Sequence, residues 1–484
     1  MKKLFRSRLL IAIQGSWPEP FYPHKFPTRS QVCPTAANAS HLLSAAMRKK
    51  SKRLFLHTYR ERLLTGDEST PAMSALMIVR LWIMVFLHYF VWGAWFVTMG
   101  TYLTKTLNFE GGQVGLAYGT TAIGAIVAPF FAGIVADRFF ATQKLLGTLH
   151  IIGAVLLYFV AEQVTFTAFY SLLILYTVTY MAGHGLTNTL TLHHAANPGK
   201  EFPIVMMAGS VGWIAAGLVN SSLKLENDVG MFHLACGAAA LMGLYSLTLP
   251  NTPPKGAGQK ISLRTMLGID ALNLLRQPSF ATFMLCSFLI CAPLSFYFAW
   301  MNVFLNELGI ANAAAKMTIG QVSDVVFLLL LPVLLPMLRV KGILLVGMAA
   351  WALRFGLFAW FDTARDAHWM MYLGIAVHGM CYDFIFVMGR MYVDQQAGKE
   401  IRGAAQGLHA FVTLGIGMFA GSWLSGVVGE HYAIHAIDGS VTHNWQMIWA
   451  IPAVVSVLLS ILFVFLFRDQ KSRVEEVAHD ETKL

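Results

Sequence analysis

The sequence predicts an all-α polytopic membrane protein, twelve transmembrane helices in two six-helix halves. Three observations predict it. Hydrophobic residues make up 56% of the 484 and charged residues only 12%, with a mean hydropathy of +0.58, far too apolar for a soluble globule. From Ser74 onward, apolar runs follow one another, each near the roughly 20 residues that carry a helix across about 30 Å of hydrocarbon. The longest internal connection, Asn251 to Phe280, falls after the sixth run and is rich in Pro, Gly and basic residues, so it divides the chain in two.

Residues 1–73 read as a basic, proline-punctuated leader, expected to be disordered. Thirteen Lys and Arg precede residue 73 against four Asp and Glu, which accounts for all but one unit of the formal charge of +10. The basic balance is therefore a property of the leader, and no nucleic-acid partner is expected. The apolar LLIAI is shorter than the 7–15 residues of a secretory signal. Two readings stay open: a tail that touches anionic lipid, or a start at Met73 or Met77.

The N-terminal half, 74–250, carries expected spans near 76–100, 113–136, 144–162, 166–190, 204–222 and 231–249. A cytoplasmic central loop, 251–278, follows. The C-terminal half, 279–468, carries spans near 279–303, 317–337, 341–361, 369–391, 404–427 and 445–467, and a cytoplasmic tail covers 469–484. Basic residues near span ends mark the cytoplasmic side. The even-numbered connections hold Lys144, Lys200, Lys255, Lys260, Arg264, Arg276, Arg339, Lys341, Lys399 and Arg402, whereas the odd-numbered ones hold little beyond Lys105, Lys224, Lys316 and Arg365. Both termini are thus expected in the cytoplasm, with the body in a bacterial inner membrane.

The chemistry is expected around HGMCYDFIFVMGR, His378 to Arg390, where Asp383 stands within an apolar helix-length segment. An intramembrane carboxylate costs about 2.5–3.5 kcal/mol on insertion scales, so it marks function and faces a bundle interior or watery cavity. Gln321 and Asp324 in TIGQVSDVVF stand three residues apart on one helix face, two spans earlier. Desolvation disfavours an ionised carboxyl group, which lets such a group exchange a proton in each transport cycle. Arg354 in AWALRFGLF is expected to neutralise a buried acid. His88, His150 and His184 read as interhelical hydrogen bonders, while His378, one turn before Tyr382 on the same face, is expected to line a cavity. Cys33, Cys236, Cys286, Cys291 and Cys381 have no metal or secreted-disulfide spacing, and GAGQKIS lacks the Walker spacing. No metal, no cofactor and no enzymatic activity are expected.

GIVADRFF, with Gly133, Asp137 and Arg138, resembles the loop signature of the major facilitator superfamily. The resemblance implies a cytoplasmic gate whose Asp pairs with basic residues when that side is shut. Read together, WGAWFVTMGTYL (Trp92–Leu103), LTLPNTPPK (Leu247–Lys255), MLGIDALNLL (Met266–Leu275), GQVSDVVF (Gly320–Phe327), AWALRFGLF (Ala350–Phe358), GMCYDF (Gly379–Phe384) and IRGAAQG (Ile401–Gly407) resemble the bacterial nucleoside–proton symporters, from about Ser74 to about Arg468. That resemblance implies proton coupling at Asp383 and Asp324. It implies substrate contacts at Gln321, Tyr382, Ser210, Trp213 and Ser295, to which helical spacing adds His378. The chain departs from the family at Met206, where an Arg is expected, and at Ser295 and Phe298, where amides are expected. The expectation is a monomeric secondary transporter, importing a nucleoside-like molecule with protons by alternating access. A porter for another small polar solute (a sugar, polyol or nucleobase) or a uniporter is the alternative.

Overall fold

A segment in hydrocarbon must satisfy its backbone N–H and C=O groups internally, which makes the helix the default for these apolar runs. The computed structural model of the chain describes residues 73–469 apart from 139, 254–267, 362–366, 399–400 and 439, and of 129–138 and 199 only the backbone. Nearly all of the expected leader, the core of the central loop and the tail beyond Asp469 lie outside the described residues.

The described chain is almost wholly helical. Ser74 caps α1 (Ala75–Phe96) by accepting the Met77 amide, and a short break separates α1 from α2 (Met99–Lys105). There follow α3 (Gly111–Arg138), α4 (Thr142–Ala161), α5 (Phe166–His194), α6 (Pro198–Ser222) and α7 (Gly230–Ser246). A 3-10 turn over Ile269–Arg276 leads to α8 (Pro278–Leu289) and α9 (Cys291–Glu307), with Pro278 at the start of α8, where its missing N–H costs nothing. The helix α10 (Ala313–Ala359) runs for 47 residues but is non-helical at Arg339, where φ is 58° and ψ 179°. Next stand α11 (His368–Ala376), α12 (His378–Tyr382), a π-turn over Asp383–Val387 and α13 (Met388–Gln396). The last helices are α14 (Arg402–Ala410), a π-turn over Phe411–Gly417, α15 (Met418–His431) and α16 (Trp445–Leu466). Between α15 and α16 an antiparallel hairpin, β1 (Ala433–His435) and β2 (Val441–His443), adds two strands to the all-α expectation.

Among the described residues, eight helices are long and apolar enough to cross a membrane, or nine if His368–Ala376 and His378–Gln396, bent by 41°, count as one span. Twelve runs were expected. In α3 only the backbone of 129–138 is described, α7 has only 17 residues, and the eighth and ninth expected spans form one helix across the Arg339 kink.

The helices before residue 250 meet those after 278 along α3 against α15 and α6 against α10. Glycine sets the first contact: a Cβ on Gly115 would overlap the Ser422 carbonyl, and Gly426 faces it at the same level. One end of the bundle, with the connections 106–110, 223–229, 308–312 and 432–444, is tied shut. Glu226, 7% exposed, accepts from the Ala314 amide at 3.0 Å and from the side-chain amides of Asn302 and Asn306 at 3.2 and 3.1 Å. Lys105 bridges to Glu307 at 2.8 Å, and Gly111 donates its amide to Glu430.

Candidate transport site

The site is built where α10 and the α11–α13 rod come close. Gly379 permits it: its amide donates to the Ser323 hydroxyl at 2.7 Å, and a Cβ there would overlap the Ser323 carbonyl. Gly320 similarly leaves room for the His378 ring. The π-turn starting at Asp383 inserts an extra residue into the helix, an arrangement frequent at functional sites, and it re-aims the side chains after Tyr382.

Two acids result, each underemployed by the protein. Asp383 is 3% exposed, and its Oδ2 has no hydrogen-bond partner among the described residues. The Asp324 side chain is 19% exposed, its Oδ1 is likewise unpartnered, and the two carboxyl groups lie within electrostatic range of each other. A buried polar atom left unpaired costs about 1–3 kcal/mol, more when charged, so the arrangement suits groups that meet a proton or a ligand.

Arg354 is fully buried, with its guanidinium 3.6 Å from the centroid of the Tyr297 ring. Its Nη1 donates to His378 Nδ1 at 2.6 Å, and His378 Nε2 stands 3.9 Å from Asp324 Oδ2. The expected neutralisation of an acid by Arg354 therefore runs through an imidazole. His378, expected to touch substrate, instead has both ring nitrogens turned to protein groups and is 3% exposed.

Beside the acids lies a small recess lined by Trp213, Tyr297, Phe298, Thr318 and Gln321 among others. Trp213 and Gln321 thus line one space. Tyr382, half-buried, stacks on the His378 ring at the neighbouring level, with centroids 6.1 Å apart. Ser210, one turn before Trp213 on α6, is half-buried. Ser295 does not line the recess: its hydroxyl donates to the Cys291 carbonyl at 2.9 Å and stands against α15. Met206 sits among apolar side chains of a second cluster with Trp82 and Phe86. Gly133, Asp137 and Arg138 fall in the last turns of α3, where only the backbone is described.

The three histidines read as interhelical hydrogen bonders do bond between helices. His88 Nδ1 lies 3.2 Å from His150 Nε2, and His88 Nε2 lies 3.3 Å from His184 Nδ1, so three imidazoles tie α1, α4 and α5 together. Tyr180 stacks on His88 at 4.5 Å and donates to its carbonyl. That the three bond to one another was not legible in the sequence. Glu226 was missed, because nothing in a short connection announces that it caps a distant helix.

Apolar helices long enough to cross a membrane, packed together and tied at one end, are the architecture of a multi-pass membrane transporter with a major facilitator-like fold. A family profile described as nucleoside H+ symporter matches residues 75–472. YegT of Escherichia coli (strain K12) is 38% identical over 408 residues, covering 82% of this chain and 95% of its own. The xanthosine permease of the same organism is 30% identical, covering 81% of this chain and 96% of its own. The crystal structure of the nucleoside transporter NupG, 30% identical, superposes with a TM-score of 0.73 over 81% of this chain and 100% of that one. The chain belongs to the nucleoside H+ symporter family, and it is a multi-pass membrane transporter of nucleosides with protons, not an enzyme.

Proposed function

We propose that the chain crosses a bacterial inner membrane twelve times, as two six-helix halves, and imports a nucleoside with protons as a monomer with both termini cytoplasmic. Three features support this topology. At about 1.5 Å per residue, the 47-residue α10 is about 70 Å long, enough for two crossings joined at Arg339. The basic residues gather in the even-numbered connections. The sealed end carries odd-numbered connections, so this conformation is shut towards the outside.

The observation that carries the mechanism is the pair of carboxyl groups, buried Asp383 and half-buried Asp324, each with an oxygen that no described side chain satisfies. A proton taken up from outside lets either group donate to a ribose hydroxyl or base nitrogen, and its loss inside weakens that contact. Gln321 offers a donor and an acceptor to the base, Trp213 and Tyr382 offer flat faces, and Ser210 a hydroxyl. Asp137 and Arg138 are the proposed cytoplasmic gate.

Proteoliposomes decide it. Addition of uridine, adenosine or xanthosine should alkalinise the outer medium of wild-type vesicles, and Asp383→Asn should abolish the proton movement. Proton flux unchanged in Asp383→Asn removes the coupling assignment; uptake competed by simple sugars and not by nucleosides removes the substrate assignment.

A further inference from the structure

We propose that His378 is a positioning residue, a neutral imidazole that links the proton on Asp324 to the buried charge of Arg354. This deepens the transport function above and rests on it. A guanidinium has donors only and keeps its proton in proteins. The 2.6 Å contact from Arg354 Nη1 therefore makes His378 Nδ1 an acceptor and puts the ring hydrogen on Nε2. That Nε2–H faces Asp324 Oδ2 at 3.9 Å, beyond hydrogen-bond length, so the contact is electrostatic here and tightens when the carboxylate is ionised. A second proton on the ring would set two donors head to head beside a fixed cation.

Within the Arg354–His378–Asp324 series, taken without Asp383, the charges balance only when Asp324 is ionised. With Asp324 ionised, the series of cation, neutral ring and anion sums to zero. With Asp324 protonated, Arg354 keeps a charge in a site with no exposure, where its Nε and Nη2 have no hydrogen-bond partner among the described residues. Proton uptake thus exposes an unbalanced cation, and proton release restores the balance. Two aromatic neighbours hold the imidazole in this orientation, Tyr297 at 5.1 Å and Tyr382 at 6.1 Å between ring centroids. Asp324 also faces Asp383, Tyr297, Cys381 and Tyr382, and Arg390 acts on Tyr382. His378 stands between the Arg354 guanidinium and the Asp324 carboxyl group, in contact with both.

The test is the pH profile of uptake in proteoliposomes, with uridine or xanthosine as the probe, for wild type, His378→Gln and His378→Leu. Gln keeps an acceptor for Arg354 and a donor for Asp324 but cannot hold an added proton. It should reproduce the wild-type profile. Leu breaks the link, so Asp324 keeps its proton longer and the release limb should move about one pH unit alkaline, a tenfold change in the proton equilibrium. A Leu profile that matches wild type, or merely drops in amplitude without moving, overturns the proposal. If Leu fails to reach the membrane, Gln alone decides: loss of proton coupling in Gln means that the ring itself carries the proton, and the proposal is wrong. Absence of nucleoside-driven proton movement in wild type would instead refute the parent function, which separates the two failures.

Discussion

Replacing Glu226 by Gln should loosen the sealed end by a predictable amount. The carboxylate takes the Ala314 amide and the Ser221 hydroxyl on Oε1 and two asparagine amides on Oε2, all acceptor roles. It also stands at the start of α10, where Asn312 makes no side-chain cap, so it serves as that helix's anionic cap from across the interface. Gln keeps the shape but turns one oxygen into a donor, which confronts the amides of Asn302 and Asn306 or the Ala314 N–H. Losing one hydrogen bond to a charged group costs about 1.5–3 kcal/mol. At about 1.4 kcal/mol per factor of ten, the population open on this side should rise roughly 10- to 150-fold. The increase is readable from Thr318→Cys, which lines the recess, by its rate of reaction with a membrane-impermeant maleimide in right-side-out vesicles. The same vesicles without Thr318→Cys give the background from Cys33, Cys236, Cys286, Cys291 and Cys381. When closing outpaces labelling, the rate tracks the open population. A rate within twofold of the Glu226 parent would refute the latch.

Gly379→Val should separate α10 from α12, because its side chain overlaps the Ser323 carbonyl; uptake should fall at least tenfold, with a lowered Tm in detergent. Arg339→Gly should stabilise the fold by about 1 kcal/mol, the relief of a left-handed φ in a non-glycine residue less the backbone entropy that glycine adds, and a higher Tm with unchanged uptake checks it.

Composition and apolar run length determined the class of this protein, since a chain so poor in charge has nowhere to fold but in lipid. Asp383 and Asp324 were legible for the same reason: an acid inside an oily segment costs too much to be incidental. What they touch was decided in three dimensions. His378 looked like a cavity residue because helical spacing put it on the face of Tyr382, yet spacing says nothing about the ninth run, from which Arg354 reaches its Nδ1. Ser295 looked like a ligand contact, but close approach to α15 turned it inward. Glu226 was invisible, and the histidines His88, His150 and His184 were read as interhelical hydrogen bonders without their partners, because each joins elements far apart in sequence by side chains whose direction only tertiary contact fixes. Hydrophobic pattern acts locally along the chain and can be read from it; hydrogen-bond partners, kinks and π-turns depend on which helices lie side by side.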